Sequence, residues 1–343
     1  MPLRKAIARV VHGHDLSEAE MAACMEEVLS GEASPAQVAG LLVALRMKGE
    51  VVAELAGAAR VLRAHAVPIP DVPADAIDTC GTGGDGAGTL NISTAAGLVA
   101  AAAGVPVAKH GNRAVSGGVG GADALEALGV GLTLSPPALS ACLGTVGFAF
   151  LYAPALQPAL RHAAAPRREL GIRTLFNLLG PLANPARVRR QVIGVFDRRW
   201  LEPVAQVLAR LGTERAWVVH GAGGLDELAL EGESAVAELA GGAVRLRTVT
   251  AAEAGLGPAP IAALRVGSAA EAAGRLRAIL GGERGPGRDI VCLNAAAALV
   301  VAGRAADLRE GAAFAAAAID RGRASALLER LVAFTTARAE RVT

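Results

Sequence analysis

Residues 78–94, DTCGTGGDGAGTLNIST, place five glycines between positions 81 and 88, after a short β-forming run and before a helical one. A chain crosses so many glycines where its backbone leaves the usual φ range, or where it lies against something that leaves no room for a Cβ. The segment closes on Ser93 or Thr94, residue types that cap helices. Strand, glycine turn and helix start make a β–α unit with consecutive N–H groups and a helix dipole behind them, an arrangement suited to phosphate. Two familiar phosphate motifs do not fit. Gly81-x-Gly83-x-x-Gly86 formally satisfies the dinucleotide pattern, yet residues 88–92 separate the glycines from the helix. Val107-Ala108-Lys109 also stands where that pattern needs an acidic residue. A P-loop requires lysine after its last glycine, and none follows Gly86.

The same punctuation recurs downstream. AIDTC, VPVAKHG, QVIGVF and RAWVVHG read as strands, each followed by a glycine turn and a helical stretch, which predicts an α/β domain around a mostly parallel central sheet. The start of the chain reads differently. Ser17-x-x-Glu20 is a capping box opening a segment to about Ser30, Ser34-Pro35 opens another that Gly49 stops, and a third covers residues 51–65. VPIPDVPAD then puts three prolines into six residues, which neither a helix nor a central strand tolerates. The boundary between a small helical N-terminal domain, 1–66, and a larger α/β domain, 67–343, is drawn there. From Asp289 onward the chain reads as alanine-rich helix.

Composition excludes several function classes. A chain of 343 residues, 52% hydrophobic, supplies a large core, while 19% charged residues and a net charge of +2 do not make a polycationic surface. The 31 arginines form no run longer than two, so nucleic acid is not an expected partner. The four cysteines are dozens of residues apart and read as buried, reduced thiols. The most apolar stretch, 95–108, has 14 residues, short of the ~18 that span a bilayer, and no secretory segment is evident, so the expectation is a cytoplasmic protein without membrane contact. Only three lysines occur, which draws attention to Lys109 at a strand end.

Lys109 begins a second glycine segment, KHGNRAVSGGVGGADALEALGV. In a parallel sheet both loops emerge on one edge, so Lys109 is placed to neutralise phosphate charge gathered by the first. Taken in order, GTGGDG…TLNIST, KHGNRAVSG…ADALEALGV and RRELGIRTLFNLLGPLANP closely resemble the signature segments of the anthranilate phosphoribosyltransferase family, and the likeness continues through VVHGAGGLDELAL. The resemblance implies a small helical domain on an α/β domain of the nucleoside phosphorylase/phosphoribosyltransferase type, paired as a homodimer through the helical part.

It further implies transfer of the phosphoribosyl group of 5-phosphoribosyl 1-pyrophosphate (PRPP) to the amine of anthranilate, with two Mg2+ per subunit. Gly81, Gly84 and Asp85 would border the pyrophosphate and ribose, and Thr89, Asn91, Ile92, Ser93 and Thr94 would grip phosphate and metal. Lys109, His110, Gly111, Asn112, Arg113, Ser116, Gly117 and Gly121 would close the donor site from the second loop. Gly81, Asn112 and Arg167 would hold anthranilate, the Arg167 guanidinium meeting its carboxylate bidentately. Ser93, Asp226 and Glu227 would hold metal. No general base is nominated, because an aromatic amine is already unprotonated at neutral pH.

Two departures from the family pattern stand out. Gln157-Pro158 replaces a His-Pro pair on the acceptor channel, and residues 117–121 are GGVGG where serines and a basic residue are usual. The first points to an altered acceptor, and a nucleoside phosphorylase or another phosphoribosyl transfer is the alternative it raises. The second predicts weaker PRPP binding than in a serine-bearing relative. A catalytically silent, nucleic-acid-binding paralogue is the alternative from another class.

Overall fold

The computed structural model describes residues 3–114 and 118–339. Four helices open the chain: α1 (Leu3–Val11), α2 (Glu18–Leu29), α3 (Pro35–Lys48) and α4 (Val52–His65). The Ser17/Glu20 capping box is formed reciprocally, a Ser34/Gln37 box starts α3, and Gly49 ends α3 at φ 92°. No helix among the described residues is long and apolar enough to cross a membrane.

The chain then alternates strand and helix. β1 (Ile77–Asp78) leads through the glycine loop to α5 (Ile92–Ala102), and β2 (Val107–Gly111) through the second loop to α6 (Gly121–Ala127) and α7 (Pro136–Val146). β3 (Phe148–Tyr152) is followed by α8 (Ala153–Leu156), α9 (Arg161–Leu170) and α10 (Phe176–Leu182). β4 (Arg190–Gly194), α11 (Leu201–Arg210) and β5 (Arg215–His220) come next, then the hairpin β6 (Ser234–Ala240) and β7 (Ala243–Val249). Helices α12 (Ala269–Leu280), α13 (Pro286–Ala302), α14 (Leu308–Asp320) and α15 (Arg323–Ala339) finish it.

These strands form one sheet in the order β3-β2-β1-β4-β5-β6-β7, parallel from β3 to β5 and antiparallel thereafter. The four strands read from sequence are present. FAFLY and the β6–β7 hairpin were not read as strands; FAFLY lacks the glycine turn that marked the others, and β7 lies almost wholly exposed on the sheet edge without an alternating buried face.

Each face of the sheet has its own core. One gathers α5, α7 and α12–α15 around Ile77, Val107 and Phe148. The other joins Leu45 and Leu55 of the N-terminal helices to Leu179 of α10, Val204 of α11, and Ile193 and Val218 of the sheet. The helical N-terminal domain therefore shares its core with one sheet face. Burying one such Leu side chain contributes about 1.5–3 kcal/mol, so this shared core fixes α10 and the sheet against the helical end.

Candidate active site

The chain runs β1, β2, β3 outward in one direction and then returns to place β4 on the other side of β1. Strand order thus reverses between β1 and β4, and the carboxyl ends at such a switch point form the crevice where sheets of this kind usually bind ligands. The glycine loop leaves β1 into this crevice. Gly83, Gly84, Gly86 and Gly88 have φ between 64° and 76°, a left-handed conformation that other residues avoid. Gly81 is needed for another reason: a Cβ there would lie 2.9 Å from Asp226 Oδ2. Asn91 occupies the cap of α5 instead of Ser93 or Thr94, and Ser93 lies in the first turn.

Long-range hydrogen bonds gather the acids at this loop. Gly83 N–H donates to Asp226 Oδ2 at 2.7 Å, and Ser93 N–H, at the start of α5, donates to Glu227 Oε1 at 3.0 Å. The segment carrying Asp226 and Glu227 is pinned from below. Asn294 of α13 bonds both backbone groups of Leu228, at 2.9 and 3.0 Å, and Gly194 at the end of β4 leaves room for no Cβ against Asp226. Asp226 is buried and Glu227 half-buried. Burial comes first among the causes that raise both carboxyls above the ordinary range; Asp85 then acts on Asp226, and Asp226 on Glu227. A cation would relieve this crowding. Two carboxylates and the Ser93 hydroxyl are hard oxygen donors, which suits Mg2+, an ion that keeps waters and takes its other ligands from substrate phosphates.

Lys109 sits beneath the loop rather than in it. It is 3% exposed, and its Nζ donates to the Thr79 carbonyl at 2.9 Å. Its charge lowers the proton affinity of Asp78, Asp226 and Glu227 through the structure. The sequence placed Lys109 against phosphate; here it is the buried counter-charge of the acid cluster. Cys80, beside it, has its thiol pushed up by burial and by Asp78, so it stays protonated. All four cysteines are free and buried.

The two glycine loops are tied together. Asn91 Nδ2 donates to the Val119 carbonyl at 2.7 Å, and a Cβ on Gly121 would lie 2.8 Å from Thr94 Oγ1. Asn91 Oδ1 is buried without a protein partner. Of the second-loop residues, Asn112 is exposed and its Oδ1 accepts from Arg113 N–H at 2.7 Å. Arg113 is committed elsewhere: its guanidinium binds both Glu126 oxygens, at 2.7 and 2.9 Å, Asp123 at 3.0 Å and the Tyr152 hydroxyl at 3.3 Å. Ser116 and Gly117 lie outside the described residues. Gly111 and Gly120 are both sites of close approach, to the Phe150 ring and the Ala114 backbone. Thr89 pairs with Arg265, and Gly84 accepts from Arg173.

The side on which the family likeness expects the acceptor is built by α9 and α10. Arg167, half-buried near the end of α9, lies with its guanidinium 4.9 Å from the Phe176 ring centre, and burial lowers its proton affinity. Its exposed neighbour Arg168 has no such setting. Arg173 stacks on Phe196 at 4.4 Å and reaches the glycine loop, a contact the sequence reading missed.

A helix leaves its last carbonyls without internal partners, and the C-terminal end of α10 presents four in succession, of which Gly180 also accepts from Ala183 N–H at 3.2 Å. Each is met by a side chain from elsewhere: Gly180 by His110 Nδ1 at 3.0 Å, Pro181 by Gln191 Nε2 at 3.0 Å, Leu182 by Arg63 Nε at 2.6 Å and Ala183 by Gln157 Nε2 at 2.6 Å. A carbonyl only accepts, so His110 Nδ1 carries the proton. Burial lowers the His110 pKa to about 4, and the ring is neutral at ordinary pH. Its side chain therefore serves α10 and brings no cationic charge to donor phosphates. Gln157, expected on an acceptor channel, is 3% exposed and likewise serves α10.

Behind the site, Asp78 accepts from His110 N–H at 3.1 Å and from Asn184 at 2.8 Å. Burial dominates its setting and raises its pKa to about 6. Neither Asp78 nor Asn184 was singled out from sequence; their partners are 32 and 106 residues away.

Comparison with known proteins accords with this geometry. A family model described as "Glycosyl transferase family, a/b domain" matches residues 73–325, and one described as "Glycosyl transferase family, helical bundle domain" matches 4–66. Anthranilate phosphoribosyltransferase of Paramagnetospirillum magneticum is 54% identical over 97% of this chain and 96% of its own, and that of Pelotomaculum thermopropionicum is 52% identical over 97% and 96%. Among solved structures, anthranilate phosphoribosyltransferase from Thermus thermophilus superposes with a TM-score of 0.92 at 47% identity, over 96% of this chain and 99% of that one. The Saccharomyces cerevisiae protein, solved in complex with PRPP and Mg, gives 0.90 at 25% identity over 98% of each chain.

Proposed function

The chain belongs to the anthranilate phosphoribosyltransferase family and transfers the phosphoribosyl group of PRPP to anthranilate in tryptophan biosynthesis, and we propose that it does so across the crevice between β1 and β4. The observation that carries this placement is the junction of glycine loop, α5 start and acid pair, with Gly83 and Ser93 amides on Asp226 and Glu227. PRPP would lie on the loop from Gly81 to Thr94, its phosphates facing backbone N–H groups and the N-terminus of α5. The unpartnered Asn91 Oδ1 offers an acceptor to a ribose hydroxyl. The second loop, through Lys109 to Gly121, would close the donor side, with Lys109 contributing charge from beneath.

Mg2+ is used, and we propose two ions per subunit held by Ser93, Asp226, Glu227 and the donor's own oxygens; when bound, the metal stabilises negative charge on the departing pyrophosphate. The chain's remaining task is geometric. Arg167 would hold the anthranilate carboxylate, and Asn112 and Gly81 would border the ring, so that the amine approaches the anomeric carbon opposite the leaving group. Phe176 beneath Arg167 and the capped α10 fix that guanidinium's position.

We further propose a cytoplasmic homodimer formed through the helical domain. Val11 and Met47 of α1 and α3 are 66% and 83% exposed, large apolar side chains on a surface that a second copy would cover. The test of function is loss of anthranilate fluorescence on mixing purified protein with PRPP and Mg2+. Rapid loss abolished by a chelator is expected; no loss while PRPP still binds would remove anthranilate as acceptor.

A further inference from the structure

The opposite edge of the sheet, where β4 and β5 begin, carries a second concentration of charge. The end of α4, the residues before β4 and the turn after α11 enclose a cleft of about 320 Å³, and its charged walls are Arg60, Arg63, Arg187 and Arg189. That volume lies at the small end of small-molecule sites. The nearby acids are shared out: Glu18 pairs with Arg60 and Arg210, and Glu214 with Arg189 and Arg190. Among the described residues, Arg63 and Arg187 bond only backbone carbonyls.

Arg63 is the fixed part of this cleft. Its Nε and Nη1 donate to the Leu182 and Leu211 carbonyls, at 2.6 and 3.4 Å, which holds the guanidinium plane, while Nη2 is buried without a partner. A buried cationic N–H without an acceptor is unfavourable. Burial first, and then the like charges of Arg187 and Arg60, bring the Arg63 pKa down to about 10. Arg187 adds an independent sign: it is one of two non-glycine residues at positive φ among the described residues, at 50°, and its Nη2 lies 3.4 Å from the Arg63 carbonyl. Strained backbone of this kind persists where its surroundings hold it, often beside a ligand.

We propose that this cleft binds a small multivalent oxyanion of the phosphate class, held by charge-assisted hydrogen bonds from Arg63, Arg187 and Arg60. Forked guanidinium donors match such an anion. The site is distinct from the donor site, since its residues precede the strands that the glycine loop and the acid pair follow. Free phosphate, free pyrophosphate and the phosphoryl group of a metabolite share this chemistry.

The test is calorimetric titration of the full chain with inorganic phosphate, and separately with pyrophosphate, in chelator-containing buffer at fixed ionic strength. Arg60→Gln and Arg187→Gly are the variants, and Arg284→Gln, far along the chain and 78% exposed, is the control. Arg187→Gly removes a guanidinium while relieving the left-handed strain, so its melting temperature should hold or rise and lost binding cannot be lost folding. Phosphate affinity should fall about tenfold in each variant, one charge-assisted hydrogen bond's worth, and stay unchanged in the control. The KM for PRPP should stay within about twofold of wild type, since one lost donor contact would move it about tenfold. Tighter binding of pyrophosphate than phosphate, lost in the same variants, identifies a free polyphosphate; equal affinity identifies a single phosphoryl group. No phosphate binding at millimolar concentration, or binding untouched by both variants, overturns the proposal.

Discussion

The two sides of the crevice are built from different materials. The side proposed for the donor is backbone and acid: positive-φ glycines, two amides on two carboxylates, and a lysine hidden beneath. The side proposed for the acceptor is guanidinium and helix: Arg167 on Phe176, with α10 held by four side chains at its carbonyl end. A site made of backbone is specified by short contiguous sequence, whereas one made of side chains reaching across the fold is specified by residues far apart. Changes on the first side should therefore strike donor and metal, and changes on the second should strike acceptor or stability.

The largest effect is expected from Glu227→Gln, which keeps shape and removes charge: kcat/KM for PRPP should fall by roughly a hundredfold or more, with a raised requirement for Mg2+, in a metal titration of initial rates. Gly81→Ala comes next. Its new methyl would press on Asp226 Oδ2, and an overpacking penalty of about 1–3 kcal/mol felt at the carboxylate corresponds to roughly a 5- to 150-fold loss in kcat/KM. Retained activity would show that the loop yields more readily than its contacts indicate.

On the acceptor side, Gln157→Leu leaves the Ala183 carbonyl without its donor and should lower unfolding free energy by about 1–3 kcal/mol in a urea titration. The donor KM should not move. If stability is unchanged and the acceptor KM alone shifts, Gln157 belongs to an acceptor channel and not to the α10 cap.

The smallest effect is a compensation. Asp78, with an ordinary value of 3.8 raised to about 6, stabilises less as pH rises through that window, because the unfolded chain ionises first. His110, lowered from 6.5 to about 4, stabilises less as pH falls through nearly the same window, because the unfolded chain takes up the proton first. The two slopes oppose each other. Stability from this pair should be nearly flat between pH 4 and 6 in the wild type, should rise with pH in Asp78→Asn and should fall with pH in His110→Asn, read from urea midpoints across that range.

What was legible in the sequence follows the same division. The Ser17 and Ser34 caps and the glycine loop are local patterns that appear where their spacing put them, and the Asp226-Glu227 pair, named on family likeness, lies against that loop. Arg173, Asn184, Asn294 and most of the cap of α10 were not legible, because each acts on a partner dozens of residues away; Gln191 reaches Pro181 only 10 residues off, but no local pattern marks that contact. Lys109 and His110 were legible as important but not in their orientation: alternation along β2 sends one side chain under the glycine loop and the next toward α10. Gln157 reads as a channel substitution only while the carbonyl of Ala183 is unseen.

The division itself is tested most directly by measuring both Michaelis constants in Arg167→Ala and in Glu227→Gln. The account predicts a crossed result, with the anthranilate KM raised about tenfold or more in the first and the PRPP KM little changed, consistent with loss of a charge-assisted contact, and the reverse in the second. Equal rises in both constants in Arg167→Ala would contradict it.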